Sequence, residues 1–198
     1  MSSYADVIYN ITDCWVAKLN NDNTYGTPVQ IDNIDKVSFD YESDTDTLKS
    51  RGMVVEAISI PTMATGEITN GSLDFASMSV LLGYTAGNYS TTPNQYAVMD
   101  ILLGDEGLPY VGLIVAYAST LGANMFVGFP KFKLDTVPGF DVEQNKFRIG
   151  SSKFKAFSPS QTRRAAARYK RNETKAAIPS TASPFLAYFT TPPPSVFS

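Results

Sequence analysis

Histidine is absent from this chain, and cysteine occurs once, at Cys14. These gaps remove histidine-activated nucleophiles, zinc sites built from His and Cys, and any internal disulfide. Cys14 stands beside Trp15 in an apolar run, where it reads as a small core hydrophobe rather than a reactive thiol. Long hydrophobic runs are missing too. Stretches such as Leu113–Ala118 fall far short of the roughly 20 residues a membrane-spanning helix needs. The first ten residues lack a basic segment followed by an apolar one, so no secretory signal is read there, and synthesis in a cytoplasm is expected. On that expectation the Asn-x-Ser/Thr triplets at Asn10, Asn70, Asn88 and Asn172 are chance matches. Glycine-rich phosphate loops are absent as well, and no nucleotide or other cofactor is expected.

What is present suffices for a folded core. The 198 residues are 43% hydrophobic and 12% aromatic, enough for one domain with or without an appendage. The net charge of −3 conceals a division along the chain. Residues 1–150 hold 18 acidic and 8 basic side chains, whereas residues 151–198 hold 1 acidic and 8 basic. The two parts attract each other, within one molecule or between copies.

Most segments read as strands. Cys14–Leu19 leads into a turn-forming cluster, Asn20–Gly26, and Val37, Phe39 and Tyr41 alternate with Ser38, Asp40 and Glu42. The polar run Ser43–Gly52 reads as a long loop, and Val54–Ile60 as a β-branched strand that Pro61 closes or places at a sheet edge, with Thr65–Thr69 a separate short piece. Ser72–Leu82 shifts to helical spacing. Leu73, Ala76 and Val80 form one stripe, Phe75, Met78 and Leu82 a second, and Gly83 supplies the stop. After a loop to Gln95, strands are expected at Tyr96–Leu103, Tyr110–Ser119, Asn124–Phe129, Lys131–Leu134 and Lys146–Phe157. The last two alternate basic with apolar residues, the mark of a cationic outer face. Gln161–Ala177 is basic and alanine-rich, with helix propensity but no apolar stripe. Ser180–Ser198 is dense in proline and aromatics and reads as extended, with a strand at Phe185–Phe189 able to add to a sheet edge. This divides the chain into a β-rich domain, 1–157, and a basic, aromatic arm, 158–198.

Catalytic and metal constellations are weak. Asp105 with Glu106, or Glu56 with Glu67 across a hairpin, offers a carboxylate pair in principle. The spaced acids Asp40, Glu42, Asp44 and Asp46 lack the layout of a calcium loop. Arg163, Arg164, Arg168, Lys170, Arg171 and Lys175 surround Tyr169, a pattern that suits phosphates and a stacked base. Docking on acidic protein is the better reading, because the rest of the chain would repel DNA.

The segments GTPVQIDNIDKVSFDYESDT, GMVVEAISI and EITNGSLDFASMSVLLGYT, in that order, make the region from about residue 14 to 160 resemble the major tail tube proteins of long-tailed bacteriophages. The resemblance implies a mainly β fold, a β-sandwich or barrel-like domain with one flanking short helix, to which the extended carboxyl-terminal arm is an addition. It implies a structural virion protein rather than an enzyme, assembling in the host cytoplasm as hexameric rings stacked into a conduit for DNA passage into the host. Expected partners are further copies, a tape measure protein, a tail terminator and distal tail proteins, with transient non-specific contact with DNA and no membrane insertion. Asp44, Asp46, Leu48, Lys49 and Arg51 become the candidate ring-stacking loop, and Asp40, Glu42 and Glu56 a candidate acidic lumen face. Arg163, Arg164, Arg168, Lys170, Arg171, Phe185 and Tyr188 are candidate arm-docking residues. The alternative is a β-sandwich binding module for a receptor or carbohydrate, at a tail tip or on a capsid. Charge reversal at Arg163, Arg164 and Arg168 is expected to weaken subunit contacts in a salt-sensitive way, checked by sedimentation at low and high salt; unchanged association at low salt would count against electrostatic docking.

Overall fold

The computed structural model describes residues 8–50, 53–70, 75–84, 86–91, 94–99, 107–119, 124–136, 150–158, 168–172 and 189. The chain is mainly β, with one open antiparallel sheet of eight strands and one short helix among the described residues. The strands are β1 (Ile8–Lys18), β2 (Val29–Gln30), β3 (Ile34–Ser50), β4 (Met53–Asn70), β5 (Ala86–Thr91), β6 (Asn94–Met99), β7 (Val111–Ser119), β8 (Asn124–Leu134), β9 (Gly150–Ala156) and β10 (Arg168–Asn172). Helix α1 spans Phe75–Leu82. Spatial order in the main sheet is β2-β1-β7-β8-β9-β4-β3, with β10 also paired to β8, while β5 and β6 form a separate hairpin.

Strand β7 organises the core. Its residues Val111 to Ala116 are buried on both faces, and its backbone is hydrogen-bonded between β1 and β8. On the inner face Val111, Leu113 and Val115 meet Cys14, Val16, Phe129 and Phe154. Ile34, Val37 and Phe39 of β3 pack on this same cluster, so the sheet curls until its far end closes over the inner face. On the outer face Ile114 and Ala116 pack with Ala17, Tyr25, Phe126 and Phe189.

Two bulges set which side chains face inward. Between Leu113 opposite Phe129 and Val111 opposite Phe132, β8 carries one extra residue at Pro130 and Lys131. Phe129 and Phe132 thereby point to the same core despite their odd spacing. The Tyr25 hydroxyl donates to the Pro130 carbonyl at 2.6 Å. The second bulge lies on β4, where Glu42 opposes Met63 and Ser43 opposes Pro61, and Thr62 is the extra residue. Both prolines sit where the ladder is already interrupted, as a residue without an N–H requires.

Several expectations change. Ser43–Ser50 is not a loop: β3 runs on to Ser50, paired with β4 as far as Met53 across register shifts between Glu42 and Ser43 and between Leu48 and Lys49. Pro61 does not end a strand but does stand at an edge, where β4 has passed beyond β9, and Thr65–Thr69 belongs to β4. The expected loop before Gln95 holds β5, and Asn124–Leu134 is one strand. In α1 the Met78 and Leu82 stripe is buried, whereas Ala76 is exposed; Ser72, Leu73 and Asp74 lie outside the described residues. Gly83, at φ 77°, ends the helix as expected. Arg168–Asn172 is a strand rather than helix, since pairing with β8 satisfies backbone groups that a helix without an apolar face would leave poorly supported. Phe189 is helical rather than extended, and buried.

Gly66 sits opposite both Phe39 and Phe154. A Cβ added there would collide with the Ser38 carbonyl and lie 2.5 Å from the Phe154 ring. The Gly66→Ala variant is therefore expected to lose at least ~2 kcal/mol by overpacking, read as a lower urea midpoint. Phe189→Ala, which empties the outer cluster, is expected to cost about 3 kcal/mol in the same assay.

Candidate assembly surface

The β3–β4 hairpin outruns the sheet that supports it. Strand β9 accompanies β4 from Asn70 only to Ala64, yet β3 and β4 stay paired to Ser50 and Met53. The remainder is a two-stranded ribbon about 31 Å long at ~3.4 Å per residue. Its side chains from Tyr41 to Leu48 and from Glu56 to Ser59 are exposed. Leu48 is 62% and Ile58 56% exposed.

The two ribbon faces differ because strand side chains alternate. Asp40, Glu42, Asp44, Asp46 and Leu48 share one face of β3, with Ile58 opposite Asp46 and Glu56 opposite Leu48. The other face presents Thr45 opposite Ser59, whose hydroxyls bond at 2.7 Å, and Thr47 opposite Ala57. One face is thus acidic and aliphatic, the other small and neutral. Successive carboxylates along the strand lie roughly 7 Å apart, so each pair repels by about 0.6 kcal/mol in water. Exposure to salt or to an opposing cationic surface relieves that repulsion.

A cationic patch lies on the outer face of β8 and β9. Lys133 stands opposite Lys155, and Lys153 opposite Glu67. Lys155 reaches Asp135 at 3.3 Å with both groups partly exposed, a contact worth little in water. The Lys131 and Lys133 ammonium groups lie 4.3 and 5.7 Å from the centre of the Tyr110 ring. Tyr110, 41% exposed, meets Phe157 edge-on at 6.2 Å. Between this patch and the acidic row runs a shallow groove of about 470 Å³, lined by Asp40, Glu42, Glu67, Lys153 and Lys155 among others.

The sequence-derived candidates distribute as follows. Asp44, Asp46, Leu48 and Lys49 belong to β3, not to a loop, and Arg51 lies outside the described residues. Asp40, Glu42 and Glu56 do share a face. Glu56 and Glu67 cannot act as a pair across a hairpin, since both lie on β4, roughly 35 Å apart along the strand. Arg168, Lys170 and Arg171 form part of β10 on β8. Arg163, Arg164, Lys175, Phe185, Tyr188, Asp105 and Glu106 lie outside the described residues. The sequence reading missed Ile58 and Tyr110 as surface groups; β-branched content marked the first segment and an apolar run the second, and neither shows which side chains stay exposed. Among the described residues, no group of three or more His, Cys, Asp or Glu side chains is placed to hold a metal, and no helix is long and apolar enough to cross a membrane.

No family model matches the chain, and no curated protein matches it. Among solved structures, a chain from "Cryo-EM structure of the anti-feeding prophage (AFP) baseplate, 6-fold symmetrised" is similar at 11% identity and a TM-score of 0.33, covering 86% of this chain and 97% of that one.

Burial governs the titrating groups of the core. It pushes the Cys14 thiol and the Tyr25 hydroxyl well above their ordinary ranges, and raises Tyr117 to about 12. Native Cys14 is accordingly expected to resist aromatic disulfide reagents at pH 8 and to react only on unfolding. For the tyrosines the folded state favours the neutral form. Their contribution is complete below the ordinary value of about 10 and is lost as pH rises towards 12; urea midpoints measured between pH 9 and 11.5 are expected to fall steadily.

Proposed function

We propose that the chain is a structural virion protein, the subunit of a bacteriophage-type tail tube, in which hexameric rings of copies stack around a conduit for DNA. The observation that carries this reading is the β3–β4 ribbon, exposed on both faces with Leu48 and Ile58 in solvent. A two-stranded ribbon is marginal alone, and an edge strand of 17 residues is a template for further pairing. Neighbouring copies supply both missing supports. The acids at the root of the ribbon, Asp40 and Glu42, would face DNA as a repelling wall, letting it slide instead of holding it. In this role the protein works in the virion tail, with a tape measure protein, a terminator and distal tail proteins at its limits, and it catalyses nothing.

Negative-stain microscopy of the purified protein is expected to show stacked rings or tubes. Isolated monomers or trimers that bind glycans would replace this reading with that of a binding module.

A further inference from the structure

We infer that the acidic–aliphatic face of the ribbon in one copy docks on the lysine–tyrosine patch of a second copy. The inference rests on the reading of the chain as a self-assembling subunit, and adds which two surfaces meet. Their chemistries are complementary. Asp44, Asp46 and Glu56 flank exposed Leu48 and Ile58 on the ribbon; on the body Lys131 and Lys133 lie over exposed Tyr110, Lys155 stands opposite Lys133, and Lys153 follows on β9. Carboxylates meeting ammonium groups give orientation, while the aliphatic side chains cover the tyrosine ring and the lysine stems.

The far end of the ribbon cannot reach the patch within one molecule. Leu48 opposes Glu56, eight residues past Ala64, where contact with β9 ends, and at ~3.4 Å per residue this lies about 27 Å along the strand from the body. Ribbon and patch are different surfaces, so the contact can pass from copy to copy and build a closed ring or a filament, or be made twice in a two-fold dimer.

The test is cysteine cross-linking between two differently marked chains, which the burial of native Cys14 keeps clean. One chain carries Leu48→Cys. The other carries Gly107→Cys, at an exposed position where an added Cβ would lie 3.0 Å from the Lys133 ammonium. Mixed and treated with a short bis-maleimide, they are expected to form a heterodimer at several times the yield of either chain alone. Lys131→Glu with Lys133→Glu in the second chain should cut that yield at least five-fold, and Asp44→Lys with Asp46→Lys in the first should restore it. Particles from the same mixtures are viewed by electron microscopy. Rings without cross-links overturn the docking and leave the tube reading standing; cross-links without rings support the docking and remove the tube. Absence of both overturns both. Retention of duplex DNA by the lysine patch without cross-links also overturns the docking, in favour of a polyanion site.

Discussion

A strand buried on both faces must be covered twice, and β7 imposes that requirement on the whole molecule. Val111, Leu113, Ile114 and Val115 are completely buried, and their backbone groups are taken up by β1 and β8. The inner side is covered by the sheet's own far end, curled back with α1. The outer side is covered by Tyr25, Phe126 and Phe189. A half-covered β7 would expose a continuous aliphatic face, so the curl and the seating of Phe189 are conditions of solubility as well as of stability.

The curl is fixed by rings. Phe39 meets Phe129 edge-on at 5.1 Å, Phe129 meets Phe154 at 5.2 Å, and Phe154 meets Phe132 at 5.4 Å. Gly66 leaves the space that Phe154 occupies. Through Phe39 this cluster grips β3 inside the body, and Tyr41, edge-on to Phe39 at 6.1 Å, is where β3 emerges. The ribbon beyond is a lever with a rigid root. That arrangement suits a recognition element, which must be held firmly at one end and remain unsatisfied at the other.

Much of this was legible in residues alone. Alternation at Val37, Phe39 and Tyr41 gave the face of β3, the segment Tyr110–Ser119 was expected as the strand that β7 forms, and Gly83 gave the end of α1. The cationic faces of β8 and β9 followed from lysines alternating with Phe and Leu. The length of the hairpin did not, because Ser, Asp and Thr in a row resemble a loop until a partner strand is known to lie beside them. Prolines misled for a related reason: Pro61 and Pro130 look like strand ends, and only the register shows them on bulges. The strand at Arg168–Asn172 depends on an edge of β8 that no local sequence pattern announces.

The seat of Phe189 has a consequence for timing. Cys14 pairs with Val115 and Tyr25 stacks with Phe189 at 5.3 Å, so contacts join residues far apart along the chain. Such topologies fold slowly. At about 5–20 residues per second the ribosome reaches residue 189 roughly eight seconds or more after Tyr25. Until then the outer cluster lacks its last ring. Completion of the outer face therefore waits on residue 189, and a chain still being made presents Ile114, Ala116 and Phe126 without their last cover.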